Sequence, residues 1–356
     1  MNATSENPNT RAVHKEVEIS VIIPVYNRRE YVVRAVKSAL NQTFSREKYE
    51  IIVVKNFNDE LIDNFLTENG IISLYCNALG KSDRVREGFD ASTGKIISFL
   101  DDDDIFYESK LEEVHKFFAN YSDLKLFIHD CDIYYEKEEK YGKIGGNNRR
   151  YYERYDLLHH TGERIIEGTP SEKQAEALQN GASLITLGNA CFSRDIISGI
   201  QDLLTGGQLA VDVLPYYYSF MGDGKIIISS KKLMRYTVHE SAVHPARNMP
   251  LREYIAYKGN LARIDMEQRI LHYKLVEGTL FESLERRALL ISYLSLLIFG
   301  RTSSSVSEVT RIISKKYPDT VSVMLIRKLL FFLSKHKLRA LSYILITALY
   351  VRYRVR

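Results

Sequence analysis

Four consecutive aspartates, Asp101 to Asp104, follow the apolar run "KIISFL" and precede "IFYESKLEEV". Carboxylates this crowded repel one another, so the cluster must be either solvated or neutralised by a cation. A solvated run would be a turn that caps the next helix, "KLEEVHKFF", through Asp104 or Ser109. A divalent ion that bridges carboxylates to a diphosphate is the other reason to gather acids. The chain has no glycine-rich P-loop and no GxGxxG, so a phosphate here would be held through the metal and not by a backbone cradle.

The elements around the run decide between these readings. "EISVIIPVYN" reads as a buried strand, and "RREYVVRAVKSALNQ" places Val32, Val33, Val36 and Leu40 at helical spacing. "YEIIVV" is a second strand, residues 61 to 69 a helix, "IISLYC" a third strand, "KSDRVREGFDAS" a helix and "KIISFL" a fourth strand. Farther on, "LKLFIHDCDIYY" reads as a strand and "ITLGNACFSRDIISGI" as a strand followed by a helix. Apolar strands alternating with amphipathic helices predict an α/β fold with a mostly parallel sheet covered on both faces. Ligands of such sheets sit beyond the carboxyl ends of the strands, where both the acidic run and "PVYNR" fall. That placement favours the cation.

The chain has 356 residues, 45% hydrophobic and 26% charged, enough for one large domain with an appendage. Residues 1–15 are polar, without the apolar core of a signal peptide, and read as a flexible tail of a cytoplasmic protein. Cys76, Cys131 and Cys191 form no CxxC pair and are expected to be buried as small hydrophobes in a reducing compartment. The net charge of +4 is unevenly spread: residues 250–356 carry 19 Lys+Arg and 8 Asp+Glu, whereas residues 1–249 carry 30 and 37. An acidic body and a basic end imply two kinds of work.

In order and spacing, "ISVIIPVYNRREYVVRAVKSALNQTF", "YEIIVV", "GFDASTGKIISFLDDDD" and "KLEEV" resemble the nucleotide-binding half of family 2 glycosyltransferases of the GT-A fold, over residues 18 to about 115. The resemblance implies a GT-A domain over residues 16–249, with a mostly parallel nucleotide-binding sheet flanked by helices, and a C-terminal helical extension over 250–356. It implies that Pro24, Val25, Tyr26 and Asn27 border the nucleotide base. It further implies that Asp101 approaches the ribose, that Asp103 with Asp101 ligates Mn²⁺ or Mg²⁺ on the diphosphate, and that Asp102 and Asp104 are secondary candidates.

Three stretches depart from the family pattern. Where the family carries "DDGSxD" after strand two, this chain reads "KNFNDE", which leaves Asn56 to meet a base edge through its amide and Lys55 to lie against a phosphate or in solvent. In place of "ARNxG" it reads "RVREG", with Val85 between Arg84 and Arg86, and Arg84 is taken for the diphosphate. The segment "GGQLAVDVLPYYYSFMGDGKIIISSKKLMRYTVHESAVH" resembles the family's closing part, and where the family usually carries an acidic Glu-Asp pair this chain reads Val211-Asp212. Asp212 is therefore the expected base, taking the proton of the acceptor hydroxyl; the alternative is an N-cap for the helix "LPYYYSF". His239, ahead of His244, fits the position that touches metal or diphosphate. The tyrosines of "YGKIGGNNRRYYERYDLLHH" either stack on a sugar or pack a domain surface.

The resemblance thus implies a metal-dependent inverting transfer of a sugar from a nucleotide-sugar donor to the hydroxyl or phosphate of a lipid-linked acceptor or growing glycan, with no role for nucleic acid. A non-catalytic sugar- or nucleotide-binding scaffold is the rival, kept open by "KNFNDE" and the missing glutamate before Asp212. In residues 320–356 eight Lys+Arg and no acid are interleaved with apolar residues, notably Leu329 to Leu333. No uninterrupted run there reaches the roughly 18 to 20 residues of a bilayer span. The pattern suits helices lying in the headgroups of an anionic membrane at its cytoplasmic face. Its alternative is packing on the body or on another subunit of a homo-oligomer.

Overall fold

The computed structural model describes residues 16–78, 80–136, 162–179, 186–206, 211–239, 251–298 and 305–314. The tyrosine-rich stretch, His244 and the basic end over 320–356 lie outside the described residues.

Strand β1 (Ile19–Pro24) is buried throughout and runs parallel between β2 (Tyr49–Lys55) and β4 (Ile96–Phe99), with β3 (Ile72–Tyr75) parallel on the far side of β2. Helices α1 (Arg29–Leu40), α2 (Glu60–Glu68) and α3 (Lys81–Asp90) make the crossovers. These strands read as continuous apolar runs because both faces are covered. Ile22, Ile52, Val54, Ile97 and Phe99 enter one core, and Ile19, Val21, Ile23, Ile51 and Val53 the other. Helix α3 lies close on β1 because Gly88 has no side chain; a Cβ there would stand 2.4 Å from Ile22 Cγ2.

After β4 the chain adds β5 (Ile105–Phe106), α4 (Lys110–Asn120), β6 (Leu124–Tyr135), β7 (Glu163–Ile166), α5 (Pro170–Gln179), β8 (Ala190–Ser193), α6 (Arg194–Ile200), α7 (Val213–Ser219) and β9 (Lys225–Val238). The sheet order is β3-β2-β1-β4-β8-β6-β9-β5, with β7 also on β9. The parallel arrangement holds for β1 to β4. Beyond them the sheet is mixed: β8 is antiparallel to β4 and β6, β6 is parallel to β9, and β5 and β7 are antiparallel to β9. Pairing of Ile105 with Arg235 ties the end of the acidic run to β9, and so returns His239, the residue after that strand, to the aspartates.

Helices α8 (Leu251–Val276), α9 (Glu282–Ile298) and α10 (Val306–Ser314) build a smaller core of their own, with Met266, Ile270, Tyr273, Leu289, Leu296 and Ile312 buried in it. They are docked on the sheet domain by Phe281, in the turn before α9. Its ring stacks on Tyr217 at 4.8 Å and meets Phe220 edge-on at 5.7 Å. Burying that side chain almost completely contributes about 3 kcal/mol of apolar transfer, before the aromatic contacts are counted. Among the described residues no helix is long and apolar enough to cross a membrane.

Candidate donor site

The first edge of the site is the turn out of β1. Pro24 and Val25 are buried, and the Val25 amide donates to Val54 O at 2.8 Å, so β1 and β2 stay in register to their ends. Asn27 takes a left-handed backbone, φ 58°, which asparagine tolerates better than most residues. That turn lets the Asn27 amide N–H donate to Asn56 Oδ1 at 2.9 Å while Asn56 Nδ2 donates to Asn27 Oδ1 at 3.0 Å. The two asparagines form an exposed pair with spare donors and acceptors. Tyr26, also partly exposed, lies against the Arg84 guanidinium at 4.7 Å.

Arg84 is buried and donates to Ala78 O at 2.8 Å, so it braces this edge from below and makes no ion pair with the aspartates; Arg86 pairs with Asp90 at 3.8 Å along α3. Lys55 reaches neither phosphate nor solvent, contrary to expectation. It turns inward at the end of β2, donating to Phe57 O at 2.9 Å and pairing with Asp63 of α2 at 2.7 Å, because a buried ammonium needs a carboxylate and a carbonyl close by.

The second edge is the acidic run, and it is not a solvated cap. Asp102, Asp103 and Asp104 are 5%, 8% and 1% exposed, and Ser109, at the N-cap of α4, makes no side-chain bond there. Each carboxylate has a different environment. Asp101 accepts from Lys81 Nζ at 2.5 Å. Asp102 accepts from the Tyr26 amide at 3.3 Å and from Arg28 at 3.0 Å, and Arg28 also pairs with Asp103. Asp103 stands 2.9 Å from His239 Nε2. Asp104 Oδ1 accepts from the Thr237 amide at 2.8 Å, and its Oδ2 has no partner among the described residues.

The charges follow from these contacts. Burial opposes ionisation of Asp103, yet His239 and Arg28 outweigh it and hold the carboxyl below the usual range. Burial, then the charges of Asp103 and Asp101, push Asp104 well above that range, so it serves as a neutral tie to β9. Burial and Asp103 push Asp102 up to about 7. The folded protein therefore keeps a proton on Asp102 that the unfolded chain releases near pH 4, and this contribution to stability, complete below about 4, is lost as pH rises through about 7. Asp102→Asn keeps an acceptor for Tyr26 and Arg28 but cannot ionise. In EDTA its melting temperature is expected to exceed that of the unaltered protein at pH 8 and to converge with it near pH 4; equal melting temperatures throughout would assign the proton elsewhere.

The third edge is Asp212. It occupies the N-cap of α7 but makes no side-chain capping bond, which leaves its carboxyl for other contacts. Burial raises that carboxyl, with Lys81 acting against it. Lys81 is itself raised: burial lowers it, and the charges of Asp101, Asp212 and Asp103 prevail. Lys81 is thus bonded to Asp101 and also feels the charge of Asp212.

Lys81, Arg28 and Arg34 were not singled out by the sequence reading. Arg34 donates to Asp103 O at 3.0 Å and to Glu136 at 3.3 Å, and Tyr31 donates to the same carboxylate at 2.8 Å while its ring lies 4.5 Å from that of His239. The available signal was two arginines at the start of α1, where the helix dipole favours acids.

Asp103 and His239, both buried, stand 2.9 Å apart and offer a carboxylate oxygen, which suits Mn²⁺ and Mg²⁺, beside an imidazole nitrogen. Among the described residues no three acids, histidines or cysteines converge into a cage. An ion here would need further oxygens, and a diphosphate supplies them.

The chain matches the model of Glycosyl transferase family 2 over residues 20–197, half its length. It is 31% identical over 151 residues to an uncharacterised glycosyltransferase of Rickettsia bellii, a match that covers 40% of this chain and 21% of that relative. It is 32% identical over 106 residues to the poly(ribitol-phosphate) β-N-acetylglucosaminyltransferase TarP of Staphylococcus aureus, covering 28% and 30%. These matches span from about a fifth to a third of the relatives' length. In three dimensions it resembles S. aureus TarS 1–349, solved in complex with UDP, with a TM-score of 0.53 at 12% identity over 91% of this chain and 92% of that one. The structural likeness carries the GT-A-type fold, and the family match across half of its length makes this chain a member of glycosyltransferase family 2.

Proposed function

We propose that the protein is a metal-dependent inverting glycosyltransferase, with UDP-N-acetylglucosamine as the first donor to consider and a phosphate-rich polyol or glycan chain as acceptor. The observation that carries this reading is the buried acidic run after β4, in which Asp101 accepts from Lys81 at 2.5 Å and Asp103 stands 2.9 Å from His239. UDP in the TarS complex and the N-acetylglucosaminyl transfer named for TarP support the choice of donor.

Pro24, Val25, Tyr26, Asn27 and Asn56 form the base edge, with Arg84 beneath Tyr26. Asp101 and Asp102 adjoin the ribose and diphosphate. Asp103 and His239, with Asp101, would hold Mn²⁺ or Mg²⁺; when bound, the ion neutralises charge on the departing diphosphate. Asp212 takes the proton of the acceptor hydroxyl as its oxygen forms a bond to the anomeric carbon. The bond from that carbon to the diphosphate breaks on the opposite face, the electron pair leaving with the nucleotide. A lipid-linked acceptor, and contact of residues 320–356 with an anionic membrane, belong to the same proposal and rest on the basic, apolar composition of that end.

The test is turnover of a panel of UDP-, GDP- and dTDP-sugars with Mn²⁺, Mg²⁺ or EDTA, read as nucleotide release. Release from UDP-N-acetylglucosamine that EDTA abolishes is expected. Donor binding without release from any member of the panel, acceptor preparations included, would favour the non-catalytic scaffold.

A further inference from the structure

One carboxylate outside the acidic run is tied to both members of the Asp103–His239 pair. Glu136 is the residue after β6, and its amide donates to Val238 O at 3.1 Å, so it stands beside the residue that precedes His239. Its side chain meets Tyr31 and Arg34 of α1, which lie three positions apart and so share one face of that helix. Tyr31 Oη donates to Glu136 Oε2 at 2.8 Å, and Arg34 Nη1 donates to Oε1 at 3.3 Å. Each carboxylate oxygen thus takes a different arm.

Each arm ends on a different member of the pair. The Tyr31 ring lies 4.5 Å from that of His239, tilted by 36°, and limits rotation of the imidazole whose Nε2 stands 2.9 Å from Asp103. Arg34 Nη2 donates to Asp103 O at 3.0 Å and holds the backbone that carries the other carboxylate. The Arg34 guanidinium also lies 5.2 Å from the centre of the Tyr31 ring, so the two arms support each other. As a source of stability the arrangement is weak: the Arg34 and Glu136 side chains are 35% and 27% exposed, and ion pairs so open to water contribute little to a fold. What it fixes is orientation. Neighbours that hold metal ligands in place without touching the ion typically account for about 10- to 100-fold of metal affinity.

We propose that Glu136 is a positioning residue for the divalent ion, acting through Tyr31 on His239 and through Arg34 on Asp103. The inference rests on the reading of Asp103 and His239 as metal ligands. The imidazole that follows β9 and the carboxylate that follows β4 are then set relative to each other by a helix, α1, that belongs to neither strand.

The experiment titrates Mn²⁺ into the full chain, read by electron paramagnetic resonance, with UDP, GDP or dTDP in excess; it needs neither acceptor nor turnover. Glu136→Ala removes both acceptor oxygens at a part-exposed position, where truncation opens no buried cavity. Its Mn²⁺ affinity is expected to fall about tenfold or more. The modulation that a coordinated imidazole nitrogen imposes on the pulsed Mn²⁺ signal should weaken with it. Glu136→Gln, whose amide oxygen can still accept from one arm, should recover part of the loss. Tyr31→Phe keeps the ring beside His239 and removes the hydroxyl, so it should weaken Mn²⁺ binding in the unaltered chain and add nothing in Glu136→Ala.

Mn²⁺ affinity in Glu136→Ala that matches the unaltered chain overturns the proposal. So does a Tyr31→Phe effect of equal size in both backgrounds, which would show that the tyrosine acts without Glu136. The premise fails separately: an unaltered chain that takes up no Mn²⁺ with any of the three nucleotides would remove the ion from the proposed function, and the role of Glu136 with it.

Discussion

Asp212→Asn is expected to bind the nucleotide-sugar donor as the unaltered protein does and to transfer its sugar about 100 to 10,000 times more slowly. The amide has the size of the carboxyl but cannot accept the acceptor's proton. Because Asp212 makes no side-chain capping bond to α7, the substitution removes no helix cap, and the loss should appear in kcat with donor affinity intact. A variant within threefold or so of the normal rate would place the base elsewhere. The same carboxyl is raised by burial against the pull of Lys81, so activity should fall as the pH is lowered through a value above that of an ordinary aspartate.

Asp103→Ala has a different expected signature, loss of donor binding together with turnover. Asp103 meets His239 at 2.9 Å, pairs with Arg28 and lies over the Arg34 contact to its own carbonyl, so it links the proposed ion to the turn out of β1. Removing it takes away a proposed ligand and leaves Arg28 with Asp102 as its ion-pair partner. Calorimetry with UDP and Mn²⁺ should show binding in the unaltered protein that EDTA weakens at least tenfold, about 1.4 kcal/mol, and none of that metal-dependent part in the variant. Donor binding indifferent to EDTA in the unaltered chain would remove the metal from the site.

The first hundred residues were legible because strands buried on both faces read as unbroken apolar runs, and the helices between them keep their spacing. β5 and β7 were not, since two and four residues carry little pattern and both are held by pairing with β9. The position of the acidic run could be read; the identities of its counter-ions could not, because Lys81 stands 20 residues from Asp101 and Arg28 stands 75 from Asp103. A lysine at a strand end, such as Lys55, reads as exposed unless the acid that draws it inward, Asp63, is known to lie on the adjacent helix. The three cysteines are free and buried, as their spacing suggested.

The seat of Phe281 among Tyr216, Tyr217 and Phe220 bears on how such proteins diversify. The change from acidic to basic composition near residue 250 looks like a seam at which one appendage could be exchanged for another during evolution or by design. The aromatic socket lies on the acidic side of that seam, in α7 and the residue that caps it, while the ring that fills it comes from the basic side. A grafted appendage must therefore bring its own plug for that socket, or the socket must change with it, so that inheritance of the two parts is coupled although their charges differ.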